Sequence, residues 1–153
     1  MNLSEILTPG LIFTKMKSNK KDLCIKEIVQ NLCLSDNDLN FNLVHESIIK
    51  RENLCSTALD NHIAIPHAKI TGLNKTYCCL AINKNGIQFG SIDGKDTKII
   101  ILLLHPDSDI KKHLLILRNI ATLFSSKEIT ERIINTSDNF EVFNIIKDNE
   151  QRK

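Results

Sequence analysis

No charge of one sign dominates this chain of 153 residues: 20 Lys and Arg stand against 18 Asp and Glu, for a formal net charge of +2. So small an excess does not point to nucleic acid. The local cluster of Lys15, Lys17, Lys20 and Lys21 has no interleaved aromatic residues on which bases would stack, so it reads as a solvated surface. A long apolar run is also missing. The longest, 99-IIILLL-104, is far too short to cross a bilayer. The opening MNLSEILTPG lacks the basic start and apolar stretch of a signal peptide. Nor is there any C-x-x-C pair: the five cysteines are odd in number and irregularly spaced, which argues against a disulfide framework and a structural zinc site and for a reducing cytoplasm.

What is there is ordinary for a globular protein. Hydrophobic residues make up 42% and charged residues 25%, in a chain long enough to bury a core, and residues 1–153 read as a single domain. A short helical turn around Leu3 to Leu7 stops at Thr8-Pro9, and Leu11 to Thr14 reads as a strand. Apolar positions at helical spacing predict helices over Ser18 to Leu32 and from Phe41 to Arg51. The period then changes. His62 to Ile65, Tyr77 to Ile82 and Thr97 to His105 read as strands, the last apolar enough to be buried on both faces. The glycine-punctuated 86-GIQFGSIDG-94 reads as a turn-rich edge. Behind capping candidates Asp107, Ser108 and Asp109, Ile110 to Phe124 marks a strong helix, followed by Lys127 to Asn135 and Phe140 to Lys147. Asp138 and Glu141 have the spacing of a capping box at the last of these. Helices, then strands, then helices predict an α/β fold, a mixed β-sheet flanked by helices on both faces.

The candidate chemistry centres on histidine. In 60-DNHIAIPHAK-69, His62 and His67 are five apart and would face opposite sides of an extended strand. Pro66 ends a strand and turns the chain outward, placing His67 at a strand end, where open α/β sheets carry their sites. A histidine on an exposed loop with no role fits the same residues. His113 falls in the first turns of its helix, where the dipole favours an anion, or is simply a polar residue beside the apolar face. Arg51 has a fork suited to phosphate, or satisfies carbonyls at its helix end. Cys55 with His62 or His67 would make a thiol nucleophile and base, but no third orienting group is evident, and a buried, inert cysteine is the simpler reading. Cys78 and Cys79 point to opposite faces of a strand, and His45 and His105 read as structural. No metal-ligand spacing recurs.

Taken whole, 51-RENLCSTALDNHIAIPHAK-69 resembles the active-site segment of enzyme IIA of the fructose/mannitol class, the phosphoryl carriers of the phosphoenolpyruvate-dependent phosphotransferase system, including their nitrogen-regulatory branch. The likeness lies in Arg51-Glu52, Ser56-Thr57, Asn61, the run Ile63 to His67, and Ala68. It continues through 86-GIQFGSIDGKDTKIIILLLHP-106 and 113-HLLILRNIATLF-124, in order along nearly the whole chain. The chain departs from the family where Ala58, Asp60 and His62 stand at positions usually held by glycine.

The resemblance implies that His67 accepts a phosphoryl group from the carrier HPr, that His113 and Arg51 donate to its oxygens with help from the helix N-terminus, and that Asn61 positions. It implies no metal and no cofactor. The phosphoryl group then passes to a IIB domain, with peripheral contact to a membrane permease, or its presence governs binding to a regulatory target protein. No IIB, IIC or HPr segment is attached here, which leans the expectation toward regulation. Two rivals stand beside this reading: a degenerate interaction module that is never phosphorylated, motivated by the lost glycines, and a Cys–His hydrolase built on Cys55.

Overall fold

Alternation along Ile99–Leu104 sets the layers of the molecule. In the computed structural model, which describes residues 1–152, these six side chains are all fully buried and point alternately to two separate cores. The elements in chain order are β1 (Ile12–Phe13), α1 (Lys21–Ser35), α2 (Phe41–Leu54), β2 (Ile63–Ala64), β3 (His67–Lys69), β4 (Tyr77–Ile87), β5 (Thr97–His105), α3 (Ile110–Phe124), α4 (Lys127–Ile134) and α5 (Asn139–Gln151). Short 3-10 turns at Leu3–Glu5 and Pro9–Leu11 precede β1.

The five strands form one sheet in the order β1-β4-β5-β2, with β3 also on β5, so β2 and β3 share an edge. β1 runs parallel to β4, β4 antiparallel to β5, and β2 and β3 parallel to β5. Ile100, Leu102 and Leu104 pack with Ala64, Ala68, Cys79 and Ala81 under Ile25, Ile28, Val29 and Leu32 of α1 and Val44 and Ile48 of α2. Ile99, Ile101 and Leu103 face the other way, with Ile63, Ile65 and Cys78, against Ile116, Ile120 and Phe124 of α3 and Val142 and Ile146 of α5. Each of the buried Ile, Leu, Val and Phe side chains contributes roughly 1.5–3 kcal/mol by leaving water. The mixed sheet with helices on both faces is therefore present. Cys78 and Cys79 do lie on opposite faces, and burial pushes their thiols up.

Several boundaries shift. α1 starts three residues later than the period suggested, because Ser18 does not cap it: the Ser18 amide and hydroxyl both bond the Glu27 carboxylate, at 2.9 and 2.8 Å. β4 runs on to Ile87, with its register to β5 breaking between Ile82 and Ile87. Gly86 sits there at φ +79°, and a Cβ on it would come 2.7 Å from Asp96 Cβ. The expected capping box does not close. Asp138 caps the Phe140 amide at 2.9 Å, but Glu141 accepts the Thr136 hydroxyl at 2.9 Å, and it is Thr136 Oγ1 that accepts the Asp138 amide.

The largest correction concerns Pro66. It does not turn the chain outward: pairing with β5 resumes as β3, with His67 opposite Leu103. Proline is tolerated because this is the sheet edge, where only its carbonyl is needed. That carbonyl accepts the Leu103 amide at 3.0 Å. Among the described residues no helix is long and apolar enough to cross a membrane.

Candidate active site

Register decides which way His67 points. Along β2 and β3 the odd positions Ile63 and Ile65 face the α3 side and the even positions Ala64 and Ala68 face α1 and α2. His67 therefore turns toward α3, where His113 occupies the first turn. Their ring centroids are 5.3 Å apart with planes tilted 48°. His67 is half-buried and His113 only 7% exposed.

The two rings are held differently. His67 Nδ1 lies 2.8 Å from the Ile65 carbonyl oxygen, an acceptor only, so Nδ1 carries the proton and donates. Nε2 is left with its lone pair. Burial chiefly holds the His67 pKa below its ordinary value, opposed by that carbonyl, and the nearby Arg51 charge presses it lower while Glu52 presses it up. His113 Nδ1 is buried with no hydrogen-bond partner. Burial first, then the His105 and His67 rings, lower the His113 pKa to about 4. Both imidazoles are thus neutral at pH 7.

Arg51 ends the last turns of α2, which packs against β3. Its Nη1 donates to the Cys55 carbonyl at 2.9 Å, so one arm of the fork closes the helix end, as the structural reading of this arginine had it. Its charge nevertheless reaches His67. Next to it, Glu52 is 4% exposed and organises the following turn. Its carboxylate accepts the Thr57 amide at 2.9 Å and hydroxyl at 2.7 Å and pairs with Lys21 Nζ at 2.9 Å. Ser56 Oγ donates to the Phe89 carbonyl at 2.5 Å. The segment Arg51 to Thr57 is in this way a fixed support for the sheet edge. Lys21 leaves the solvated basic cluster: besides Glu52 it bonds the Phe89 carbonyl and lies 4.8 Å from the Phe89 ring centroid.

Asn61 is not brought to His67. It precedes β2, about six residues before His67 along the extended edge, on the order of 15–20 Å away. Its side-chain amide donates at 3.2 Å to the carbonyl of Ser125, just beyond the far end of α3 from His113. Its backbone N–H donates to the Asp93 carboxylate at 3.3 Å. Asn61 and His62 adopt φ of +63° and +67°, the left-handed region that glycine favours. The loop holds that conformation without glycine, and His62 Nδ1 is tied to the Asp96 carbonyl at 2.6 Å. Asp60 is exposed.

The α3 N-terminus is not an open anion site either. Asp109 caps it by accepting the Lys112 amide at 3.0 Å, so a carboxylate already stands there. Cys55 is exposed rather than buried, with its thiol directed at the Ser56 carbonyl, 3.7 Å away. His45 stacks on Phe41 of its own helix, with ring centroids 5.4 Å apart. Among the described residues no group of three or more His, Cys, Asp or Glu is placed to hold a metal ion.

Two residues at the site escaped the sequence. His105 stacks on His113 with centroids 3.5 Å apart and planes 17° from parallel. Its signal was its place at the end of a buried strand, on the same parity as Leu103. Glu52 was visible only as half of an Arg-Glu pair; an acid placed five residues before a threonine was the clue to its turn-forming role.

Residues 5–149 match the family described as phosphoenolpyruvate-dependent sugar phosphotransferase system, EIIA 2. The chain belongs to this family. Relatives of this IIA chain include the nitrogen regulatory protein of Bradyrhizobium diazoefficiens, 29% identical over 149 residues and covering 95% of each chain. The crystal structure of nitrogen regulatory protein IIA-Ntr from Neisseria meningitidis superposes with a TM-score of 0.87 at 30% identity, over 94% of this chain and 98% of that one. The mannitol IIA of Escherichia coli, solved in complex with phosphorylated IIB, shares the fold with a TM-score of 0.77 at 18% identity, over 92% of this IIA chain and 96% of that one.

Proposed function

We propose that this phosphotransferase-system IIA component carries its phosphoryl group on His67 Nε2. The observation that supports this most is the His67 Nδ1 bond to the Ile65 carbonyl, which leaves Nε2 as the only free lone pair on that ring. In the transfer, the Nε2 lone pair attacks the phosphorus of a phosphohistidine on HPr. The new N–P bond forms as the donor's breaks, and the donor nitrogen keeps the departing electron pair. His67 retains its Nδ1 proton throughout and the donor ring, protonated at its other nitrogen, leaves as a neutral imidazole, so no proton need move.

Such a transfer demands position and charge stabilisation more than covalent help. His113 supplies one donor. With no acceptor near its buried Nδ1, its proton resides on Nε2, free to bond a phosphoryl oxygen on the neighbouring ring. Arg51 supplies the positive charge from the α2 side. Asn61 has no part in this step.

The acceptor partner is a IIB domain, as in the mannitol IIA complex with phosphorylated IIB, or a regulatory target protein. The higher identity of the nitrogen-regulatory relatives, 30% and 29%, favours the regulatory branch. The test is incubation with phosphoenolpyruvate, enzyme I and HPr, followed by mass spectrometry at neutral pH. One acid-labile phosphoryl adduct, lost in His67→Gln, is the expected result. No adduct would leave the non-phosphorylated interaction module standing. Alkylation of Cys55 should leave the adduct intact; its loss would revive the thiol reading.

A further inference from the structure

A histidine that must present one nitrogen to a substrate is usually oriented by a hydrogen bond at the other. His113 has none: its Nδ1 is buried and unpartnered. What lies against the ring instead is His105, at 3.5 Å between centroids and 17° from parallel. His105 is well fixed. Its carbonyl accepts the Ile70 amide at 2.9 Å, it pairs in register with Lys69, and its Nδ1 lies 3.2 Å from the Pro106 carbonyl. It is 7% exposed. A rigid strand end thus carries a flat, buried surface directly against a ring whose Nδ1 has no hydrogen-bond partner.

We infer that His105 is a positioning residue for the phosphoryl transfer: its stacked ring holds the plane of His113 so that His113 Nε2 faces His67. The role of His113 as donor to the phosphoryl group is the proposed function on which this rests. The requirement is for a flat ring at position 105, since stacking area and planarity do the orienting and neither ring needs a charge. His105 Nδ1 donates to the Pro106 carbonyl, which leaves no proton on the ring to compete for the phosphoryl oxygens. Around the stack, Lys69 and Asp107 lie near His105, with the Lys69 Nζ to Asp107 separation at 3.8 Å, and His67 faces it from β3.

Two variants of the full chain separate planarity from bulk. His105→Leu keeps side-chain volume and removes the flat ring; His105→Phe keeps the ring and removes both nitrogens. The readouts are the initial rate of phosphoryl acceptance from phospho-HPr and the imidazole NMR signals of His113 in the unphosphorylated protein. Expected is a loss of about three- to tenfold in rate for His105→Leu, the worth of one aromatic contact, with His113 signals broadened or doubled. His105→Phe should keep the rate within about twofold of wild type and a single sharp set of His113 signals. A wild-type rate in His105→Leu overturns the inference, as does a slowed rate with unchanged His113 signals, or a His105→Phe variant as slow as His105→Leu. If the wild type accepts no phosphoryl group, the proposed function fails instead, and the His113 signals still decide the stack.

Discussion

At the His67 end of the β2–β3 edge the backbone is relaxed and the side chains are short of partners. At the Asn61 end the backbone is in the left-handed region at two consecutive residues, the Asn61 backbone amide is held by Asp93, and the side chains are engaged by the Asp96 and Ser125 carbonyls. The first end keeps an unused lone pair on His67 and an unpaired nitrogen on His113. The second has committed its bonding capacity to holding a strained loop. Bonding capacity left open in a desolvated place suits a site that must receive a group, whereas saturated strain suits a structural corner. This contrast argues that the left-handed loop and the proposed phosphoryl site are separable, although they belong to one sequence motif.

The sharpest way to break the comparison is at His67. His67→Gln should lose phosphoryl acceptance entirely, with a melting temperature close to wild type; residual incorporation by mass would show that another residue accepts. Next come the donors. Arg51→Ala and His113→Gln should each slow acceptance about a hundredfold, the usual cost of one donor to a charged transition state. An unaffected rate for either removes that residue from the site.

The third prediction concerns pH. With a folded pKa of about 4, His113 binds fewer protons folded than unfolded once the pH drops below the free value of about 6.5. Its contribution to stability is therefore complete above about pH 6.5 and is lost as pH falls toward 4, on the order of 3 kcal/mol in all. Burial lowers His67 and His105 in the same direction, so they add to the same slope. Urea unfolding between pH 4 and 7 should show wild-type stability rising with pH and a flatter profile for His113→Gln. Equal slopes would place His113 in a more solvated setting than described.

The smallest effects belong to the other end. His62→Gly and His62→Ala both lose the bond to the Asp96 carbonyl, but only glycine relieves φ +67°, so His62→Gly should be more stable than His62→Ala by about 1 kcal/mol. Asn61→Ala should leave the phosphorylation rate within about twofold while costing roughly 1 kcal/mol of stability. A large rate loss in Asn61→Ala would join the two ends that the structure holds apart.

Much of this was legible along the chain. The continuous apolar run predicts β5 because burial on both faces leaves no polar alternation to mask it; helical periodicity marks α1, α2 and α3, and capping residues mark α4 and α5. β3 was not legible: three residues, one of them Lys69, carry no period, and Pro66 is ordinarily a stop. Only the edge position of the strand makes that proline harmless, and edge position is a tertiary fact. Among the residues proposed for the site, His67, His113 and Arg51 are visible through the family motif. Asn61 was misplaced because adjacency in a motif is not adjacency in space when the motif is an extended strand. His105 was hidden for the opposite reason, since the fold folds α3 back over the end of β5 and creates a stack that no local pattern encodes.

The central claim is that a neutral His67 attacks through Nε2 with Nδ1 held by Ile65. The most direct test is NMR of the histidine-15N-labelled chain after phosphorylation by HPr, reading which ring nitrogen is coupled to phosphorus. One-bond coupling at His67 Nε2, with Nδ1 still protonated, is the predicted result. Coupling at Nδ1, or a phosphoryl group on His105 or His113, would contradict it.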